Sequence, residues 1–107
     1  MVGAALLLAA AFSTPGPFAL VNGTGTTMQS LSIRPADGTS GWRLLGGGPL
    51  PATARMAIPS QGGQLCAFDL RASMSGTDVT WPSVNLCDVR TVTLNRRSDG
   101  TLWVDYD

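Results

Sequence analysis

The chain has 107 residues, a length that suits one domain. All of its seven cations are Arg and all of its seven anions are Asp, so the formal net charge is zero and offers no long-range attraction for nucleic acid. It contains no His, which excludes Ser-His-Asp and Cys-His catalysis and the usual His-based metal sites. Composition therefore predicts a protein that is not an enzyme and that uses no cofactor and no metal.

The first predicted element is a secretory signal peptide. Residues 4–12 form an unbroken apolar run, and the segment 13–17 that follows is rich in Pro and Gly. The run is too short to cross a bilayer, which takes about 20 apolar residues, but it has the length of a signal-peptide core. Because residues 1–3 carry no positive charge, a buried N-terminal element and a retained anchor stay open as alternatives. We predict a signal peptide in residues 1–18 and a single domain in 19–107.

The rest of the chain reads as short strands. Apolar side chains alternate with polar ones in brief runs separated by Gly, Pro, Asn and Asp, and no stretch keeps a helical period. Seven or eight strands result, and they predict an all-β antiparallel β-sandwich of immunoglobulin-like or related Greek-key topology, with a small closed barrel as the alternative. In chain order the predicted strands cover 19–22, 28–34, 42–45, 53–58, 64–73, 79–87, 89–95 and 102–106.

The clearest alternation lies in the strand predicted over 64–73. Phe68 and Leu70 share one face, whereas Asp69 and Arg71 take the other, where a cross-strand ion pair is expected. Further along, Pro82 has no backbone N–H to give to a neighbouring strand. It therefore predicts that the strand around it is bent or lies at a sheet edge.

Cys66 and Cys87 are the only cysteines. In an exported protein an even count favours a disulfide, with buried free thiols or a redox-active pair as alternatives. Closing the loop between them would stabilise the fold by about 3 kcal/mol in the chain-entropy model. The predicted disulfide also supports a periplasmic or secreted location.

Three tryptophans are the candidate ligand-binding residues. Trp103 alternates with Leu102, Val104 and Tyr106, so it is expected to point outward, where an exposed aromatic ring can stack on a sugar or anchor a protein partner. Trp42 or Trp81 is expected to pack in the core or to cover the disulfide.

The aspartates of the predicted turns have two interpretations. Asp37, Asp78 and Asp99 stand beside Gly or Thr, where an Asp side chain commonly accepts hydrogen bonds from its own backbone. Carboxylates could instead hold calcium, but no EF-hand spacing occurs. The loop 22–26 lacks the Lys of a phosphate-binding loop and is expected to be a turn.

Five short segments of the chain form a recognisable set. They are 21–25 (Val-Asn-Gly-Thr-Gly), 31–35, Trp42 with 44–46, 66–71 (Cys-Ala-Phe-Asp-Leu-Arg) and 84–87 (Val-Asn-Leu-Cys). Taken together they resemble a family of small, uncharacterised exported proteins of alphaproteobacteria. The resemblance implies export and a β-rich domain, and it carries over no functional residue.

These observations favour an exported, non-enzymatic module that binds a ligand or serves a structural role. The expected partner is an envelope protein or a glycan, with no nucleic acid and no membrane contact once the leader is removed. A small inhibitor of secreted hydrolases is the alternative. An enzyme that works with two carboxylates is a weaker one, because it needs two Asp side chains that face a cleft.

Overall fold

The computed structural model describes residues 14–107, so most of the predicted signal peptide lies outside the described residues. The described part contains eight strands, which agrees with the sequence prediction of a short-strand domain. The strands are β1 Phe18–Asn22, β2 Ser30–Pro35, β3 Arg43–Leu44, β4 Arg55–Ile58, β5 Ala67–Met74, β6 Thr77–Asn85, β7 Thr91–Arg96 and β8 Leu102–Tyr106.

The strands form two four-stranded sheets that pack as a sandwich. The first sheet has the order β4-β1-β7-β8 and the second has the order β3-β2-β5-β6. All pairs are antiparallel except β1 and β7, which run parallel. The predicted all-β antiparallel sandwich is confirmed, with β1 and β7 as its one parallel pair. A parallel pair needs a long crossover connection, which the five intervening strands supply.

The core consists of the side chains that alternate inward from both sheets. Trp81 is the largest of the fully buried side chains. Its indole N–H donates to the backbone carbonyl of Asn95 in the opposite sheet at 2.9 Å. Because a buried indole N–H needs a partner, this bond fixes the ring across the gap between the sheets. The other core members include Phe18, Leu20, Leu31, Ile33, Ile58, Phe68, Leu70, Val84, Val92 and Leu94.

The edge strands β6 and β8 close one long side of the sandwich. The backbone N–H of Asn85, in β6, donates to the hydroxyl of Tyr106, in β8, at 3.0 Å. Leu102 and Val104 pack against the core, but Tyr106 is 46% exposed. The prediction places these three residues on one face. Leu102 and Val104 do pack on the core, whereas the Tyr106 side chain extends beyond the core to the other sheet.

A buried asparagine organises the turn after β1. Asn22 is fully buried, and its side-chain N–H groups donate to the carbonyls of Thr26 and Leu50 at 2.8 and 2.9 Å. Its side-chain oxygen accepts from the backbone and the hydroxyl of Thr24. Since a buried amide is tolerated only when its hydrogen bonds are made, this residue holds the predicted turn 22–26 against the chain that precedes β4.

The strand that contains Pro82 is both an edge strand and bent, as predicted. The register of β5 against β6 shifts at Asp69, where Pro82 and Ser83 together face one residue. Such a two-against-one bulge leaves a backbone group unpaired. Here Asp69 compensates, because one of its oxygens accepts the Ser83 backbone N–H at 2.9 Å.

The second oxygen of Asp69 accepts from the guanidinium Nε of Arg34 at 2.9 Å. Arg34 lies directly opposite Asp69 on β2. The expected cross-strand ion pair is therefore present, with Arg34 as the cation. One carboxylate thus links the three strands β2, β5 and β6.

Replacing Asp69 with Ala is expected to lower the free energy of unfolding by about 1–3 kcal/mol, because the Ser83 N–H loses its acceptor inside the bulge. Chemical denaturation of the purified protein measures this. Asp78→Ala is the matched control, since Asp78 is an exposed carboxylate on β6, and we expect it to cost less than about 0.5 kcal/mol. Equal losses in the two variants would show that Asp69 does not hold the bulge.

Candidate functional site

An open groove of about 530 Å³ lies between two loops of the described surface. The loop from β2 to β3 forms one wall, and the loop from β4 to β5 forms the other. Its apolar floor is made by Pro35, Leu65 and Phe68. The volume falls in the usual range of ligand-binding clefts, about 300–1,000 Å³. The groove therefore has the size and the mixed lining of a binding site.

The first wall is held in place by a short turn. The Asp37 carboxylate accepts the backbone N–H of Thr39 at 3.0 Å and its hydroxyl at 2.7 Å. These bonds, the Thr39 hydroxyl first, lower the pKa of Asp37 below its ordinary value of 3.8. Asp37 therefore stays ionised at neutral pH, and the turn prediction for this residue is confirmed.

The second wall is also braced by local hydrogen bonds. The side-chain N–H of Gln61 donates to the carbonyl of Pro59 at 2.8 Å. The Ser60 hydroxyl accepts the Gly62 backbone N–H at 3.2 Å. Hydrogen bonds within the chain thus hold both walls.

Arg43 is the cation of the groove. It is exposed, and its guanidinium donates to the side-chain oxygen of Gln61 on the opposite wall. That partner is a neutral amide, so the bond orients the guanidinium without neutralising its positive charge, and the Asp37 carboxylate lines the same groove. The residue pair therefore presents a directed positive charge across the groove.

Trp42 precedes Arg43 and helps to orient it from the outer face of the sheet. The guanidinium carbons of Arg34 and Arg71 lie 4.4 and 4.3 Å from the centroid of the Trp42 ring, a cation–π arrangement. The ring is half-buried on the outer face of the β3-β2-β5-β6 sheet. Because side chains alternate along a strand, fixing Trp42 on that face directs Arg43 to the opposite side, where the groove lies.

The three predicted tryptophans lie in three separate places. Trp81 is in the core, so it cannot contact a ligand at the surface, and this corrects its place among the candidate binding residues. Trp103 points outward as predicted, is 38% exposed, and has the Arg97 guanidinium 5.0 Å from its ring centroid. The expectation that Trp42 or Trp81 packs in the core is confirmed for Trp81, whereas Trp42 is not a core member. The tryptophans therefore do not share a binding face.

The predicted disulfide between Cys66 and Cys87 is confirmed, with a sequence separation of 21. The backbone N–H of Leu86 also donates to the carbonyl of Cys66 at 2.8 Å, so the two chain segments are joined twice. Cys66 follows the wall of the groove directly, and its bridge anchors that wall. A disulfide of this kind is typical of proteins that fold in an oxidising compartment outside the cytoplasm.

The described residues show no cluster of three or more His, Cys, Asp or Glu side chains that could hold a metal ion. Asp99, another predicted turn residue, accepts the backbone N–H of Thr101 at 2.9 Å. Within residues 14–107 no helix is both long enough and apolar enough to cross a membrane.

Sequence reasoning did not identify Arg43, Gln61 or Gln64 as site residues. They are ordinary polar residues beside Gly-rich loops, and nothing in their spacing marks them. Arg43 and Gln61 come together because β3 and β4 are the edge strands on the same side of the sandwich. Only the strand pairing decides this arrangement. The one available signal was that two Gly- and Pro-rich loops flank the short segment 42–45.

The fold has a counterpart among solved structures. The chain is similar to the NMR structure of a protein from Eubacterium rectale, with a TM-score of 0.62, 15% sequence identity, and coverage of 91% of this chain and 90% of that one. At this identity the likeness establishes the sandwich fold alone. No family model matches the chain, and no curated protein matches it. The resemblance to the alphaproteobacterial family stays a prediction.

Replacing Thr39 with Ala is expected to raise the pKa of Asp37 toward 3.8, because the Thr39 hydroxyl is the largest cause of its depression. The stabilisation from this turn is present at pH values above about 4 and is lost as the pH falls through the depressed pKa. An NMR titration of the side-chain carboxyl carbons measures the midpoint. Asp99, whose pKa is lowered by Thr101, is the internal control and should not move. An unchanged Asp37 midpoint would contradict this account of the turn.

Proposed function

We propose that the protein is an exported, non-enzymatic binding module that uses the groove between the β2–β3 and β4–β5 loops to hold a periplasmic or secreted partner. The observation that carries the proposal is a groove whose two walls are formed in advance and whose cation is oriented by a neutral amide. A site that is already formed binds with a smaller loss of conformational entropy than one that must be ordered.

Two observations support export. The disulfide between Cys66 and Cys87 suits an oxidising compartment. The apolar run in residues 4–12 has the length of a signal-peptide core. A partner of the groove is therefore sought in the envelope or outside the cell.

The chemistry of the groove supports binding rather than catalysis. The chain has no His, and Asp37 is the one carboxylate among the described lining residues. Glycoside hydrolysis by carboxylates requires a pair, one of which is protonated near neutral pH. Asp37 has a lowered pKa and already accepts two hydrogen bonds from Thr39, so it does not serve as that acid.

The geometry also favours the groove over the predicted aromatic face. Trp103 is a single exposed ring near the edge of its sheet, whereas the groove combines an apolar floor, a cation and two amides. Binding sites typically join an apolar surface to a few well-placed polar groups. A ligand is therefore expected to contact Arg43, Gln61 and Gln64.

The test is a set of ¹⁵N NMR titrations of the full protein with a panel of soluble oligosaccharides and short peptides. We expect at least one compound to shift the amide signals of Gly62, Gly63 and Gln64. Arg43→Gln should weaken that binding at least about threefold, since it removes the only charge that faces the ligand from β3. Arg96→Gln, an exposed arginine on β7, is the matched control and should leave binding unchanged.

Two results would contradict the proposal. One is a panel in which no compound shifts the groove signals. The other is binding that shifts the signals around Trp103 and is insensitive to Arg43→Gln.

A further inference from the structure

Two further depressions border β3 beside the groove. A neighbouring depression of about 180 Å³ shares Arg43 and Gln61 with the groove. A third, of about 150 Å³, shares Leu44 with the second and ends at Gly46 and Gly48. Three linked depressions along one strand fit an extended ligand better than a compact one.

The backbone of β3 offers hydrogen bonds on this side. The Leu45 backbone N–H donates to the carbonyl of Leu31 at 2.9 Å, and Ser32 lies opposite Leu44 in the antiparallel register. In such a ladder, successive residues point their N–H and C=O groups alternately toward and away from the partner strand. The N–H and C=O of Leu44 therefore point away from β2, toward the depression, where an added strand can pair with them.

The side chains of β3 specify two neighbouring contacts. Leu44 is 74% exposed, the highest value among the large apolar side chains of the described residues. It lies on the outer face, whereas Arg43 faces the groove. Directly opposed residues of paired strands share a face, so an added strand would place an acidic side chain against Arg43 and an adjacent apolar one against Leu44.

The alternatives fit less well. The lining of the groove offers no exposed aromatic ring on which a sugar can stack, since Phe68 is only 4% exposed. The long edge strand β8 lies against β6 through the hydrogen bond that Tyr106 accepts from Asn85. Edge geometry therefore favours β3.

We propose that the occupant of the groove is an extended peptide segment that pairs with β3 and places a carboxylate side chain on Arg43. This inference rests on the proposed function, because it names the ligand class of the same groove. The partner is then a protein with an exposed, extended segment in which an acidic residue adjoins an apolar one.

The test uses capped hexapeptides of alternating Val and Thr that carry one Asp at each position in turn, with a matched series that carries Asn. We expect one Asp peptide to bind about threefold to tenfold more tightly than its Asn counterpart, as measured by NMR titration. That advantage should disappear in Arg43→Gln and persist in Arg96→Gln.

Backbone methylation tests the strand pairing separately. Methylating the peptide nitrogen of the residue opposite Leu44 removes a hydrogen-bond donor and should weaken binding about tenfold, whereas methylating the next nitrogen along should have little effect. Equal affinity of the Asp and Asn series, or no alternation with methylation, would overturn the inference.

The outcomes separate the two proposals. If an oligosaccharide binds the groove and the peptides do not, the peptide inference fails and the binding module stands. If neither class shifts the groove signals, both fail.

Discussion

The indole of Trp81 spans the interior and donates its N–H to the carbonyl of Asn95 in the opposite sheet. The residue is 1% exposed, so this bond is made without competition from water, and it sets how β6 lies over the β7–β8 side of the first sheet. The hydroxyl of Tyr106 adds a second link between the sheets when it accepts the N–H of Asn85. Together these contacts close one long side of the sandwich.

The opposite long side of the sandwich has a different structure. Its edges are the two-residue strand β3 and the four-residue strand β4, followed by loops that contain much Gly and Pro. Here Asp69, Arg34 and Trp42 brace β3 from the outer face, and the disulfide of Cys66 anchors the facing loop. The groove lies between these two loops, and the hydrogen bond from Arg43 to Gln61 crosses it.

Much of this fold could be predicted from the sequence because its signals can be read from the residues themselves. These signals are alternating apolar and polar side chains, turn-forming residues and an even number of cysteines. The inward face of β5, the bent edge strand at Pro82, the turn at Asp37 and the disulfide all follow from such signals. The parallel pairing of β1 with β7 and the meeting of Arg43 with Gln61 could not, because both depend on which strands become neighbours. The outward position of Trp103 followed from alternation, but aromatic content alone did not tell which of Trp42 and Trp81 is the core ring.

One long side of the sandwich is closed, and the other offers free backbone groups. Per-residue hydrogen exchange measured by NMR tests this difference between the two sides most directly. The Trp81 indole proton is expected to exchange only through global unfolding, and the Leu44 amide is expected to exchange near the rate of an unprotected chain. A Leu44 amide as protected as the core, or a Trp81 indole proton that exchanges at the rate of Leu44, would contradict the account.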